Sequence, residues 1–432
     1  MKIVLLIFSL FLSSSIFAQH YVLDSITPSL GHLINFEANT LKFADKSPAF
    51  DRFFAKLDSI YSGKKDKLHI FHIGGSHIQG DFYSNKMRTY LQNMNANSTG
   101  QRGFVFPYHF AHTNNPLSYR ISTNTESKWQ GYRCSITSDS ITWGLAGITG
   151  AFRDVSDTIT VKANHRNYNR DRYNFNKLRV FYNTWKDDYY LNVLDSTLVI
   201  SDTINYNKMY REFRFKTAVD SVAIALQLKD TTNIHPEFAM MGMEFMNNNP
   251  GIEYTSIGVN GASFKLFDRS AYFEKQFDLY HPDLFIISIG TNDAYMPEDK
   301  FDAENFRYYY KSFIDMIQRK NPDCAILLTV PNDSYYKRRK PNPNTITQEQ
   351  IILELAQEYN MAVWDCFEIM GGLGSSQKWY KNNLMPKDRV HFTLFGYSVK
   401  ADLMLVALVK AWAASTGRNA EELLNYFKHL DE

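Results

Sequence analysis

The stretch HIFHIGGSHIQGD, residues 69–81, sets Ser76 directly after Gly74 and Gly75 at the end of an apolar run. Paired glycines permit a tight strand-to-helix turn that holds a serine hydroxyl at its tip with backbone N–H groups beside it. A serine alone is a weak nucleophile and needs a base that is itself oriented by a third group. Near the other end of the chain, PKDRVHFTLFGY places Asp388 three residues before His391. At that spacing a carboxylate can reach the imidazole, fix its tautomer and stabilise its charged form. Two further turns, NGAS with Gly261 and GTND with Asn292, add a backbone N–H and a side-chain amide. With the N–H of Ser76 they would make three donors for an oxyanion. The chemistry these residues could perform together is acyl transfer through a serine ester.

Neighbouring polar residues are secondary candidates. His77 follows Ser76 and either touches a substrate or braces the turn, while Asp81 and Gln79 are placed to hold that turn together. Asp293 beside Asn292 reads as an orienter of loops, and Asp365 at a strand end ranks below Asp388 as the third member. The three histidines of the opening stretch do not read as metal ligands. His69 and His72 are three apart in an extended strand, so they face opposite sides and cannot converge on one ion. Plainer readings exist for each part: Ser76 as a helix-capping serine, Asn292 as turn chemistry, Asp388 and His391 as loop residues. Thr393 can cap the following helix unaided, which leaves Asp388 and His391 without that duty.

These parts must be brought together by strands. LHIFHI (68–73) reads as a buried strand followed by a helix over 82–94. IEYTSIGV, DLFIISIG, AILLTVPN and MAVWDC read as four more strands, with helical patterns near 263–280, 303–320, 346–360 and 394–414. Alternating strands and helices imply a parallel sheet covered on both faces, with ligands beyond the carboxyl ends of the strands. From about 105 to 248 the alternation stops. Short β-type runs such as TITVKA, KLRVFYNTW, STLVISDTI, REFRFKT and SVAIALQL take its place, a β-sandwich pattern.

In this order, each at a strand exit, the four blocks resemble the SGNH (GDSL-type) hydrolase superfamily, with Ser76, Gly261, Asn292 and His391 as the four letters and Asp388 completing a triad. The resemblance covers 50–104 and 251–416. It implies a flavodoxin-like three-layer α/β fold with a parallel sheet, carrying here an inserted β-sandwich. The form GGSHIQGDFYS, with a β insertion after the first helix and GFVFPYHFAHTNNPLSY beginning at Gly103, is similar to bacterial peptidoglycan O-acetylesterases, whose inserted module resembles a carbohydrate-binding domain. One position departs: the family's first block has Asp where this chain has Gly75. The triad is untouched, and what the change puts at stake is the rigidity of the nucleophile turn.

The expected organisation is a signal peptide over 1–18, a first hydrolase part over 19–104, the sandwich over 105–250 and a second hydrolase part over 251–432. MKIVLLIFSLFLSSSIFAQ has the basic start, apolar run and small-residue exit of a secretory signal, and no later segment is apolar enough to span a membrane. The protein is therefore expected to be exported, to the periplasm or beyond. Lys+Arg 47 against Asp+Glu 45 gives +2, which makes nucleic acid a poor partner. The longest run of like charge, KRRK at 337–340, reads as a solvated loop. Aromatics reach 15%, with 27 Tyr and 32 Phe, which suits sugar binding as well as an aromatic-rich β core. Cys134, Cys324 and Cys366 are too few for a disulfide framework, and a bridge between the last two is left open. No metal or cofactor is implied. The expected activity is an esterase removing O-acetyl groups from a glycan, peptidoglycan first. The alternatives are a lipase or acetyl xylan-type acylhydrolase, and a glycan-binding protein without activity.

Overall fold

The computed structural model describes residues 30–95, 100–136, 141–165 and 173–429. The expected signal peptide lies outside the described residues. The α/β part is built on six strands: β1 (Leu41–Phe43), β2 (Lys67–Gly74), β3 (Gly251–Gly258), β4 (Leu284–Ser288), β5 (Ala325–Val330) and β6 (Ala362–Asp365). Their spatial order is β1-β6-β5-β4-β2-β3. β2 to β6 run parallel, and β1 is an antiparallel edge strand paired with β6. The five parallel strands therefore follow the flavodoxin-like order, in which the chain reverses direction across the sheet beside β2.

Both faces of the sheet are covered, which is why its strands read as continuous apolar runs. Ile70, Ile286 and Leu327 point to one core with Phe53, Leu57, Met87 and Leu405 from helices Pro48–Tyr61, Phe82–Gln92 and Leu394–Thr416. Phe71, Phe285 and Leu328 point to the other with Phe264, Phe277, Ile314 and Ile352. The helix Ala303–Lys320 shows how sequence sets this: Phe306, Tyr310, Ile314 and Ile317 fall on one face and are buried, and the Asp302 side chain accepts from the Asn305 N–H at the start.

The helix expected over 263–280 is instead two short ones, Phe264–Phe267 and Phe273–Phe277. Between them the Tyr272 N–H donates to the Trp143 carbonyl, so the backbone is diverted to the β region rather than into a continuous helix. The helix Pro48–Tyr61 and edge strand β1, ahead of the first expected strand, complete the sheet's covering.

The β region forms two antiparallel sheets of seven and four strands. Val180, Phe213 and Met240 of the larger sheet share a core with Ile159, Leu191 and Ile224 of the smaller, which makes a sandwich. The strand Phe238–Met246 is buried along its whole length. Met240, Met243 and Phe245 face the sandwich core, whereas Ala239 and Met241 join Phe71 and Phe285 in the α/β core. The larger sheet is thus a shared wall, and its apolar residues on both faces fix the sandwich against the sheet that carries Ser76.

Candidate active site

Ser76 is the first residue of the short helix Ser76–Gln79, immediately beyond β2. The turn closes on itself: the Gly75 carbonyl accepts from the N–H groups of Ile78 and Gln79 at 3.1 and 3.0 Å. Gly258, at the end of β3, lies so close that a Cβ on it would fall 2.1 Å from the Gln79 nitrogen. Glycine is therefore required there for the turn to seat on the neighbouring strand.

His391 lies 315 residues away in sequence and brings its Nε2 to 2.9 Å from Ser76 Oγ. Its Nδ1 is 2.8 Å from Asp388 Oδ2. An ionised carboxylate only accepts, so Nδ1 carries the proton and Nε2 accepts from the serine hydroxyl. Asp388 Oδ1 also accepts from the N–H groups of Val390 and His391. Burial opposes the Asp388 charge, but the imidazole and these two N–H groups outweigh it and bring the carboxyl down to about 2. The carboxylate is accordingly charged whenever the imidazole needs it. The loop is held from the segment that follows β5: Asn332 Nδ2 donates to the Val390 carbonyl at 3.1 Å, and the Tyr335 N–H donates to the Arg389 carbonyl at 3.1 Å.

Ser76, Gly261, Asn292, Asp388 and His391 line one cavity of about 620 Å³. As the first helical residue Ser76 has no intrahelical acceptor for its N–H. Gly261 has φ +81°, a left-handed conformation in which glycine is unstrained. Asn292 Nδ2 donates to the Ala262 carbonyl at 2.9 Å, which fixes the amide plane and leaves its second proton for another acceptor. The geometry can thus do what the four blocks suggest: activate a serine and offer donors to a developing oxyanion. Asn292→Ala is expected to lower kcat by about 10²–10³ with little change in substrate binding; steady-state kinetics on an acetyl ester measures this, and an unchanged kcat would remove Asn292 from that role.

Gly75 also finds an explanation. A Cβ on Gly75 would point to Asn292 Nδ2 at 3.2 Å, so a larger residue there would meet this amide. In this chain the turn is closed by backbone hydrogen bonds and Asn292 is held by Ala262, neither of which needs a carboxylate at position 75.

The secondary candidates do not line the cavity. His77 is buried; its Nδ1 is 3.0 Å from the Tyr397 hydroxyl, and burial, Lys400 and His391 push it well below the ordinary histidine range, so it is neutral. Asp81 is buried behind the turn between Arg88 and Arg102, and Gln79 ties the turn to Thr113 and Asn260. Asp293 Oδ1 accepts from the Phe264 N–H at 3.2 Å, orienting that loop; burial pushes its carboxyl up to about 7 against this bond. Asp365, at the end of β6, is engaged by Lys42 of the neighbouring edge strand β1. His69 meets Thr255, and His72 meets Tyr254 and Ser288, on opposite faces of β2. All three cysteines are buried free thiols, so Cys324 and Cys366 do not pair.

Sequence reasoning missed Phe82, Asn114, Asn260, Tyr295 and Arg338, which also line the cavity. Asn260 precedes Gly261 in an Asn-Gly turn and was within reach of that pattern. Asn114 comes from the β region; the Asn260 side chain donates to its Oδ1 at 2.7 Å, a contact that no spacing announces.

Residues 238–399 match the GDSL-like Lipase/Acylhydrolase family. Among solved structures, one described as "Peptidoglycan O-acetylesterase in action, 5 min" superposes with a TM-score of 0.68 at 20% identity, covering 87% of this chain and 99% of that one. That likeness extends the shared fold over the β region as well as the α/β part. An acetyl xylan esterase, AlAXEase, matches at 23% identity over 36% of this chain and 81% of its own, with a TM-score of 0.30. A lipase/acylhydrolase from Enterococcus faecalis matches at 19% identity over 36% and 74%, with a TM-score of 0.29. No curated protein matches the chain.

Proposed function

We propose that this chain, a GDSL-like acylhydrolase, is an exported serine esterase that removes O-acetyl groups from a glycan, peptidoglycan first. The observation that carries the reading is the Ser76–His391–Asp388 relay, at 2.9 and 2.8 Å, opening into a cavity that Gly261 and Asn292 share.

Ser76 Oγ attacks the acetyl carbonyl as its proton passes to His391 Nε2. The carbonyl oxygen becomes an oxyanion facing the N–H groups of Ser76 and Gly261 and the Asn292 amide. The imidazolium is stabilised by Asp388 and returns its proton to the sugar oxygen as that C–O bond breaks. This releases the deacetylated sugar and leaves acetyl-Ser76. Water then gives a proton to His391, attacks the acetyl carbonyl, and acetate leaves as the proton returns to Ser76 Oγ.

Two observations support a polymer substrate. The cavity opens to solvent and carries the side-chain amides of Asn260 and Asn292, and the β region supplies Asn114 to it. The expected sandwich over 105–250 would hold the glycan next to the serine. No helix among the described residues is long and apolar enough to cross a membrane. Acetate release is expected to be faster from O-acetylated peptidoglycan than from acetylated xylan at equal acetyl concentration. Equal rates on both would leave a general acetylesterase, and binding without acetate release would leave the glycan-binding alternative.

A further inference from the structure

The run KRRK, which composition alone assigns to a solvated loop, forms a hairpin at the mouth of the catalytic cavity. Tyr335–Tyr336 pairs antiparallel with Lys340–Pro341, and the Arg339 N–H donates to the Tyr336 carbonyl at 3.1 Å, closing the turn. The two central residues, Lys337 and Arg338, both have positive φ, 49° and 60°. That is the conformation of a type I′ turn, which Asn and Gly fill readily and long side chains do not. Two cations therefore stand where the backbone favours other residues, and such an outlier points to a use for the side chains.

The hairpin is fastened to the site itself. The Lys337 N–H donates to the Tyr295 hydroxyl at 3.0 Å, and Arg389, between Asp388 and His391, donates from Nη2 to the Arg338 carbonyl at 2.5 Å. Arg338 lines the same cavity as Ser76 and His391. Among the described residues its guanidinium has no hydrogen-bond or ion-pair partner, whereas Arg389 next to it stacks on Tyr335 at 4.1 Å. The other acidic or basic side chains lining the cavity are Asp388 and His391, and they are engaged with each other.

We infer that Arg338 is a specificity residue that pairs with a carboxylate on the substrate close to its O-acetyl ester, so that the preferred substrate class is an anionic glycan. The inference rests on the esterase reading and adds the charge of its substrate. A guanidinium presents a planar fork that matches a carboxylate with two parallel hydrogen bonds. Lys337, Arg339 and Lys340 beside it raise the local concentration of an acidic polymer.

The test uses the full-length protein and one batch of O-acetylated peptidoglycan in three forms: untreated, carbodiimide-amidated to neutralise its carboxylates, and freed of stem peptides by an amidase. Amidation is expected to lower the wild-type kcat/KM about tenfold or more, chiefly through KM, and added salt to shrink that difference. Arg338→Asn suits the positive φ better than arginine, so the turn is kept while the cation is lost. This variant is expected to treat untreated and amidated polymer alike, and Arg338→Lys to keep part of the preference. The peptide-free polymer is also compared before and after amidation: a preference that survives there assigns the carboxylate to the sugar chain, and one lost with the peptides assigns it to the peptide. Wild type indifferent to amidation, or Arg338→Asn with the wild-type preference, overturns the inference while the esterase reading stands. No acetate from any of the three forms overturns both.

Discussion

Ser76→Ala is expected to lower kcat for acetate release by about 10⁶, because serine, base and orienter act as a unit and the rest of the relay has no second nucleophile to serve. The substitution removes Oγ and leaves the backbone N–H at position 76, the Gly261 N–H and the Asn292 amide in place. What remains is the modest acceleration that oxyanion donors and binding give to attack by water. Glycan binding, followed by sedimentation with the insoluble polymer, is expected to persist. Loss of rate with binding intact separates a missing nucleophile from a collapsed turn. Activity within tenfold of wild type would place the nucleophile elsewhere.

The second large effect is on stability and falls on Asp81. Its carboxylate is buried and takes Arg88 on both oxygens, Arg102 at 2.7 Å, and the hydroxyls of Ser84 and Ser256. Arg88 and Arg102 are themselves almost fully buried. Burial alone would raise the Asp81 carboxyl, but the two guanidiniums and these hydrogen bonds outweigh it and hold it well below the usual carboxylate range. Asp81 also sits at φ +53°, a conformation asparagine tolerates well. Asp81→Asn therefore keeps the backbone and removes the charge, leaving two buried cations uncompensated. The expected cost is about 3–5 kcal/mol in chemical denaturation. The sign of the pH dependence follows from the depressed value. The wild-type contribution is present above the unfolded carboxylate range and is lost as pH falls toward the folded value. Asp81→Asn should lack that part of the acid destabilisation, and a variant as stable as wild type with the same acid slope would refute this account of the residue.

Asp81 also shows where sequence reading stops. The strand LHIFHI, the turn after it and the helix from residue 82 were legible because apolar runs and paired glycines are local signals. The parallel sheet was legible because strands alternated with helices. Bringing Ser76, Gly261 and Asn292 to one end of the sheet then followed from topology, since each lies just beyond a strand, whereas His391 is not at a strand exit: it follows the helix Ser375–Lys381, well after β6 has ended at Asp365. Asp81 closes the same stretch yet does not line the cavity; its partner Arg102 is 21 residues on, beyond the helix Phe82–Gln92, a pairing that no local pattern announces. Edge strand β1 has three residues, too few for alternation to be read. The break in the helix expected over 263–280 depends on a hydrogen bond to Trp143, in a different part of the chain. The positive φ of Lys337 and Arg338 runs against residue preference, so a basic loop looked merely solvated.

In this mechanism the acetyl group passes through Ser76. The most direct test is to mix the protein with O-acetylated peptidoglycan or p-nitrophenyl acetate, quench in acid within the first turnovers, and map the digest by mass spectrometry. An acetyl group is expected on the peptide containing HIGGSHIQGD, located on Ser76 and accumulating when Asp388→Asn slows deacylation. Acetate release at the wild-type rate with no acetyl on Ser76 under any quench, or the same rate in Ser76→Ala, would contradict it.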